Sequence, residues 1–83
     1  MKALYFAWIR ERVGLSEEDI NPPEDIKTVD QLIDWLITQK ECYAVAFANR
    51  KLIRASIDKV HVHPQASIAS AREIAFFPPM TGG

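Results

Sequence analysis

The sequence has very little cysteine: Cys42 is the only one among its 83 residues. A single thiol cannot form an internal disulfide, and it cannot by itself build a zinc site. No apolar run approaches the roughly 18 residues of a transmembrane helix. The first ten residues also lack the small-residue cleavage pattern of a signal peptide. We therefore expect a cytoplasmic protein that is neither secreted nor embedded in a bilayer.

The sequence also lacks an excess of charge of one sign. It has 10 basic and 11 acidic residues, for a net charge of -1. Duplex nucleic acid and anionic lipid require clustered Lys and Arg, so neither is expected as a partner.

Residue patterns that support catalysis are missing as well. There is no Ser/His/Asp arrangement, no glycine-rich phosphate loop and no pair of carboxylates placed for a cleft. His61 and His63 would face the same side of a strand, but no third ligand lies near them in the sequence, so we expect no metal site. The chain alone is predicted to catalyse nothing, and we expect no bound cofactor.

What the sequence does contain is the composition of a small folded protein. Hydrophobic residues make up 48% and charged residues 25% of the chain, which is ordinary for a globular domain. At 83 residues the chain is well below the size at which proteins divide into several domains. We expect one domain over residues 1–83.

The first third of the chain predicts short elements. From Lys2 to Trp8, larger and smaller apolar residues alternate, which indicates a strand whose core face carries Leu4, Phe6 and Trp8. A short helical turn should follow over Ile9 to Val13, because Gly14 can adopt the left-handed conformation that ends a helix. The polar segment Ser16 to Ile20 predicts a weak strand or a loop.

The clearest element is a helix that begins after Thr28. Thr28 and Gln31 form a capping-box pattern, in which each side chain can satisfy a free amide at the helix start. Apolar residues then recur with helical spacing and form a single stripe. The pattern predicts a helix over Val29 to Gln39, with its apolar stripe at Val29, Leu32, Ile33, Leu36 and Ile37.

The second half of the chain predicts strands. Tyr43 to Ala48 and Leu52 to Ile57 are short apolar runs joined by a polar link of hairpin length. Val60 to Val62 is a further short strand, and Ser70 to Phe77 is a buried strand that the following prolines end. The order strand, strand, helix, strand, strand predicts an α+β fold in which a mixed sheet packs on one main helix.

The end of the chain is the most informative segment. Pro78-Pro79 hold an extended path, and Gly82-Gly83 lack a Cβ, so they can pass through a channel too narrow for other residues. The six residues 78–83 reach about 20 Å when extended. A frayed terminus is the alternative interpretation. We expect 78–83 to be a flexible tail that projects from the domain.

A tail of this kind has one chemical group to offer, which is its terminal carboxylate. A carboxylate does not react with nucleophiles at neutral pH, so it has to be activated. Adenylation by ATP would give an acyl adenylate, and attack by a sulfur donor would then give a thiocarboxylate. The protein would thereby become a carrier of reactive sulfur.

Two segments resemble a known family. The run Ala75-Phe76-Phe77-Pro78-Pro79-Met80-Thr81-Gly82-Gly83 closely resembles the ending of the MoaD family, the sulfur-carrier small subunits of molybdopterin synthase. Tyr5 to Gly14, YFAWIRERVG, is similar to that family's first strand and helical turn. The chain departs from the family at Ala71-Arg72, where Gly-Asp is frequent, and at Asn49-Arg50-Lys51, where Asp-Gly is frequent.

The resemblance implies a fold and a function. The fold is the ubiquitin-like β-grasp. Gly83 would be adenylated by an E1-like enzyme, converted to a thiocarboxylate with sulfur from a donor, and inserted into the large synthase subunit. There the sulfur would build the dithiolene of molybdopterin from cyclic pyranopterin monophosphate. The family also implies an assembly of two small and two large subunits.

The resemblance also assigns roles to individual residues. Thr81 and Gly82 would thread the tail into the partner's active site. A partner would grip the chain where the prolines leave the last strand, and Arg10 matches an Arg-Glu pair of the family. The candidate partner-binding residues are Phe77, Pro78, Pro79, Met80 and Arg10.

Other interpretations share the fold and the Gly-Gly ending. They are a related carrier for thiazole synthesis or tRNA thiolation, a ubiquitin-like protein modifier, and a binding domain whose tail has no role. Cys42 could carry a persulfide, although a free cysteine usually behaves as a small hydrophobic residue. Trp35 is expected at the edge of the core.

Overall fold

The computed structural model describes residues 1–79. Within them the chain forms five strands, three α-helices and one 3-10 helix. In chain order these are β1 (Lys2–Tyr5), α1 (Ala7–Val13), β2 (Glu17–Asp19), α2 (Val29–Gln39), α3 (Glu41–Ala46), the 3-10 helix (Arg50–Leu52), β3 (Arg54–Ile57), β4 (Val60–Val62) and β5 (Glu73–Phe77). No helix within residues 1–79 is long and apolar enough to cross a membrane.

The five strands form one mixed sheet. Their order is β2-β1-β5-β3-β4; β1 and β5 run parallel, and the other neighbours run antiparallel. The predicted α+β class is confirmed. Strand β5, the last strand within residues 1–79, lies at the centre of the sheet. The chain therefore leaves the sheet from its middle rather than from an edge.

Helix α2 has the bounds that the sequence predicted. The Thr28 hydroxyl accepts a hydrogen bond from the Gln31 amide at 3.1 Å. The Gln31 side chain in turn accepts one from the Lys27 amide at 2.7 Å, so the helix start is capped from both sides. The predicted stripe is buried at four positions, and Ile37 and Trp35 pack against the core at its edge. The four buried residues are Val29, Leu32, Ile33 and Leu36.

The prediction for the first strand was wrong in both length and phase. Strand β1 ends at Tyr5, and Ala7 adopts a positive φ of 53° that turns the chain into α1. Ala3 and Tyr5 are the buried residues of β1, whereas Phe6 is exposed. Both faces of this segment carry apolar residues. The prediction assigned the larger side chains to the core, and that criterion selected the wrong face. The predicted end of the helical turn was right, because Gly14 closes α1 with a φ of 90°.

The predicted hairpin between 43–48 and 52–57 was also wrong. The first run forms helix α3, because Tyr43, Ala46 and Phe47 recur with helical spacing and all three are buried. The second run contains β3. The hairpin that does form joins β3 to β4 through Asp58-Lys59, and both turn residues have positive φ angles of 48° and 73°.

The link before β3 is the 3-10 helix. The Asn49 side chain caps it by accepting a hydrogen bond from the Lys51 amide at 3.2 Å. The Arg50 guanidinium donates to the carboxylates of Asp30 and Asp34 on α2. Burial alone would lower the pKa of Arg50, but the two carboxylates outweigh it and raise the pKa. These contacts hold the link to α2 without the Asp-Gly turn that is frequent in the MoaD family.

Three aromatic rings fill the centre of the core. Tyr5 and Phe76 stack at 6.1 Å between ring centroids, and Phe47 packs edge-on against Phe76 at 5.1 Å. The Tyr5 hydroxyl donates to the Glu18 carboxylate at 2.7 Å, and the Tyr43 hydroxyl donates to the same oxygen. Burial raises the pKa of both tyrosines, and the bonds to Glu18 raise it further. Glu18 thereby ties the edge strand β2 to β1 and α3.

Candidate functional site

The two faces of the sheet have different surroundings. In β5, Ile74 and Phe76 belong to the core that includes the helices. Because side chains alternate along a strand, Ala75 and Phe77 point to the opposite face. That face borders a shallow cavity of about 930 Å³. We call its apolar part the open face, which comprises Leu4, Phe6, Ala75, Phe77, Pro78 and Pro79.

The strand register aligns a row of side chains that runs from the open face across four strands. Leu4 of β1 pairs with Ala75 of β5, Ala75 pairs with Ser56 of β3, and Ser56 pairs with His61 of β4. These four side chains therefore form one row across the sheet. Phe77 lies two residues further along β5 and is followed by Pro78, the first residue of the predicted tail.

Phe6 is a site residue that the sequence analysis assigned to the core. Phe6 is 46% exposed and lines the cavity at the open face. Its amide donates to the Phe76 carbonyl at 3.1 Å, and its own carbonyl accepts from the Ile9 amide at 3.1 Å. These bonds fix Phe6 between β1 and α1. The run Phe6-Ala7-Trp8 could have indicated this exposure, because consecutive apolar residues alternate between the two faces of a strand and cannot all lie on the core face.

The predicted partner-binding residues fall into three groups. Phe77, Pro78 and Pro79 are partly buried and line the open face. Arg10 is exposed on α1, one turn after Phe6, and the cavity is lined in this region by Phe6 and Ala7 instead. Met80, Thr81, Gly82 and Gly83 lie outside the described residues, so the roles assigned to them stay predictions.

The two histidines lie at different places. The His61 ring packs against Phe77 at 5.1 Å between centroids, at the margin of the open face. His63 lines a separate cavity of about 490 Å³ between α2 and β3. The structure therefore does not bring them together. Within residues 1–79 no group of three His, Cys, Asp or Glu side chains is placed to hold a metal ion.

Charged groups lie around the open face rather than within it. Lys59 and Glu73 line the cavity together with the apolar residues. Glu73 pairs in register with Lys2, whose ammonium group lies 3.3 Å from the Glu17 carboxylate. An apolar centre with a polar margin is the composition of a protein-binding surface. Cys42 lies apart from it, partly buried against the core.

The fold and the open face together define a class of protein. It is a β-grasp domain in which the central strand β5 borders an uncovered apolar sheet face and the sequence that follows β5 contains Pro78-Pro79 and Gly82-Gly83. The chain belongs to the ThiS family, whose profile matches residues 3–83.

Two relatives are similar over the whole chain. One is the molybdopterin synthase sulfur carrier subunit of Escherichia coli strain K12, which is 34% identical over 100% of this chain and 99% of its own length. The other is the protein of the same name from Haemophilus influenzae, which is 31% identical with the same coverage.

Two solved structures share the fold. SAMP1 from Haloferax volcanii matches with a TM-score of 0.72 and 23% identity, over 100% of this chain and 98% of its own. A putative molybdopterin converting factor, subunit 1, from Pyrococcus furiosus matches with a TM-score of 0.73 and 23% identity, over 95% of each chain. At this identity they bear on the fold alone, and they confirm the expected β-grasp architecture.

Proposed function

We propose that this chain is the sulfur carrier subunit of a molybdopterin synthase. The observation that carries the proposal is the whole-length similarity to two proteins of that name, at 34% and 31% identity. The geometry supports it, because the central strand β5 ends at the open face, and Pro78 and Pro79, which follow it, line the same face. An apolar surface beside the start of a tail suits a partner that receives the tail.

The proposed chemistry takes place at Gly83. An E1-like enzyme joins the terminal carboxylate to the AMP part of ATP and releases pyrophosphate. A sulfur donor at the oxidation level of sulfide then attacks the acyl carbon, and AMP leaves. The product is a glycyl thiocarboxylate, which keeps a nucleophilic sulfur at the end of the chain.

The carrier then docks on the large subunit of the synthase. The open face binds the partner, while residues 78–83 extend by up to about 20 Å into its active site. There the sulfur passes to cyclic pyranopterin monophosphate. Two carriers and two large subunits would form the assembly, in the cytoplasm. The carrier supplies the sulfur and docks the tail, and the large subunit supplies the substrate site.

Intact mass measurement tests the proposal directly. Incubation with ATP, the activating enzyme and a sulfur donor should replace one oxygen by sulfur at Gly83. Deletion of Gly83, or addition of one residue after it, should abolish the mass change without affecting the fold. Cys42→Ser is the matched control, because it removes the only thiol and should still be converted.

The outcomes distinguish the carriers. A wild-type chain that stays unmodified while a control carrier is converted would contradict the proposal. Loss of conversion in Cys42→Ser would show that the Cys42 thiol, rather than the Gly83 carboxylate alone, is needed to accept the sulfur. A chain that is converted but fails to bind the large subunit would favour a carrier for thiazole synthesis or tRNA thiolation.

A further inference from the structure

One imidazole lies beside the apolar open face, that of His61. Its Cα partner across β3 and β4 is Ser56, which in turn pairs with Ala75. The register therefore places the His61 side chain on the same face as Ala75 and Phe77. The His61 and Phe77 rings lie 5.1 Å apart at an interplanar angle of 55°. His61 is thus packed directly on the last residue of β5.

The position of His61 creates a hydrogen-bonding requirement when the face is covered. His61 is exposed in the free carrier, so water can satisfy its ring nitrogens. An imidazole carries at least one N–H donor in either protonation state. A partner that covers the open face and extends over His61 at its margin would remove this water, and a donor left buried without an acceptor weakens binding. Phe77 offers the ring an apolar contact but no strong acceptor.

We infer that His61 determines the specificity of the docking surface. The large subunit places a hydrogen-bond acceptor, a carbonyl or carboxylate oxygen, opposite the imidazole. A surface that matches the apolar residues but lacks this acceptor leaves the donor unpaired and binds less tightly. The inference rests on the proposed function, because it concerns the same docking surface and the same partner.

The proposed hydrogen bond of His61 has a second consequence, because His61 lies close to the residues at which the predicted tail begins. The hydrophobic effect that drives burial of the open face is not directional. A hydrogen bond is directional. Because His61 touches Phe77, the bond would fix the carrier close to Pro78, where the tail begins.

The test compares three variants of the full-length carrier by calorimetry with the purified large subunit. His61→Leu keeps an apolar side chain and removes the donor, whereas His61→Gln keeps a side-chain N–H. His63→Leu is the matched control, because His63 is also exposed but lines the other cavity. Circular dichroism and thermal unfolding of each free variant verify that it is folded.

We expect His61→Leu to weaken binding about tenfold or more, because the acceptor on the large subunit is then buried without a hydrogen bond. His61→Gln should stay within about threefold of wild type, and His63→Leu within about twofold.

Equal or tighter binding by His61→Leu would overturn the inference. Equal losses in His61→Leu and His61→Gln would also overturn it, because the ring's packing on Phe77 would then be what matters. Failure of the wild type to bind would instead overturn the proposed function on which the inference depends.

Discussion

Asp58 and Glu73 are joined by two reciprocal hydrogen bonds. The Asp58 amide donates to the Glu73 carbonyl at 3.0 Å, and the Glu73 amide donates to the Asp58 carboxylate at 3.0 Å. The same carboxylate oxygen accepts from the Arg72 amide at 3.1 Å. The turn between β3 and β4 therefore holds the start of β5. This contact supplies an anchor at the position where the MoaD family often has Gly-Asp and this chain has Ala71-Arg72.

Asp58→Ala should lower the free energy of unfolding by about 1–3 kcal/mol, since two backbone amides lose a charged acceptor. Urea titration of the two proteins measures the difference. Asp25→Ala, at an exposed carboxylate in the loop before α2, is the control and should change stability by less than about 0.5 kcal/mol. Equal stability of Asp58→Ala and wild type would show that the anchor contributes nothing.

Lys59→Gly should stabilise the protein slightly, by up to about 1 kcal/mol. Lys59 has a φ of 73°, where a side chain with a Cβ is strained, and relief of that strain exceeds the entropy that glycine adds to the unfolded chain. Lys40→Gly is the control, because Lys40 has an extended φ of -151°. It should be neutral or destabilising. A lower thermal midpoint for Lys59→Gly than for Lys40→Gly would contradict this prediction.

Leu32→Ala and Leu36→Ala should each destabilise the protein by about 2–5 kcal/mol, because both side chains are fully buried beneath the sheet and their truncation leaves a cavity. Val45→Ala makes the same kind of truncation at a residue that is 51% exposed. It should cost less than about 1 kcal/mol. Losses below about 1 kcal/mol at both leucines would show that the stripe of α2 is not the core face.

Stability should fall at alkaline pH. Burial and the bonds to Glu18 raise the pKa of Tyr5 and Tyr43, so the folded state holds these protons more tightly than the unfolded state does. Their contribution is fully present below pH ~10, where unfolded tyrosines ionise, and is lost as the pH rises toward the folded-state values. Between pH ~10 and the folded-state pKa, each tyrosine lowers the free energy of unfolding by about 1.4 kcal/mol per pH unit.

Urea titrations between pH 8 and pH ~11.5 measure this dependence. Tyr43→Phe removes one of the two tyrosine hydroxyls and leaves the other titrating groups in place. Above pH ~10, the free energy of unfolding of this variant should therefore fall less steeply with pH than that of wild type, by about 1.4 kcal/mol per pH unit. An unchanged slope would show that Tyr43 ionises equally in both states.

Local signals in the sequence predicted some elements and misled at others. Thr28 and Gln31 lie three positions apart, and the apolar stripe that follows belongs to one helix, so α2 could be predicted from one segment alone. The segment from Lys2 to Trp8 could not. Ala3 and Tyr5 face the core while Leu4 and Phe6 lie on the other face, so both alternating sets are apolar and the pattern does not select one.

The candidate site was predictable only in part. The tail could be predicted from one segment because Pro78 to Gly83 are adjacent in sequence, and beyond residue 79 it stays a prediction. The open face and its margin could not, because the row Leu4, Ala75, Ser56 and His61 comes from four strands, and only the register of the sheet aligns these residues. The contact of His61 with Phe77 depends on the same pairing. Sequence spacing instead suggested a relationship between His61 and His63.

Phe77→Ala and Phe6→Ala should each weaken binding of the large subunit by more than about 2 kcal/mol, the loss typical of an aromatic anchor at the centre of an interface. Both side chains line the same cavity beside the start of the tail. The proline rings fix φ at Pro78 and Pro79 before binding, which reduces the conformational entropy that these two residues lose on docking. Calorimetry with the purified large subunit measures each affinity.

Cys42→Ser and His63→Ala are the controls for the docking surface, since neither residue lines that cavity, and each should change the affinity by less than about 0.5 kcal/mol. If Phe77→Ala binds the large subunit with wild-type affinity, Phe77 does not contribute to the interface. Wild-type affinity in Phe6→Ala alone would confine the interface to the β5 side of the open face. A loss in His63→Ala as large as that in Phe77→Ala would instead place the partner over the cavity between α2 and β3, on the side of the sheet that carries the helices.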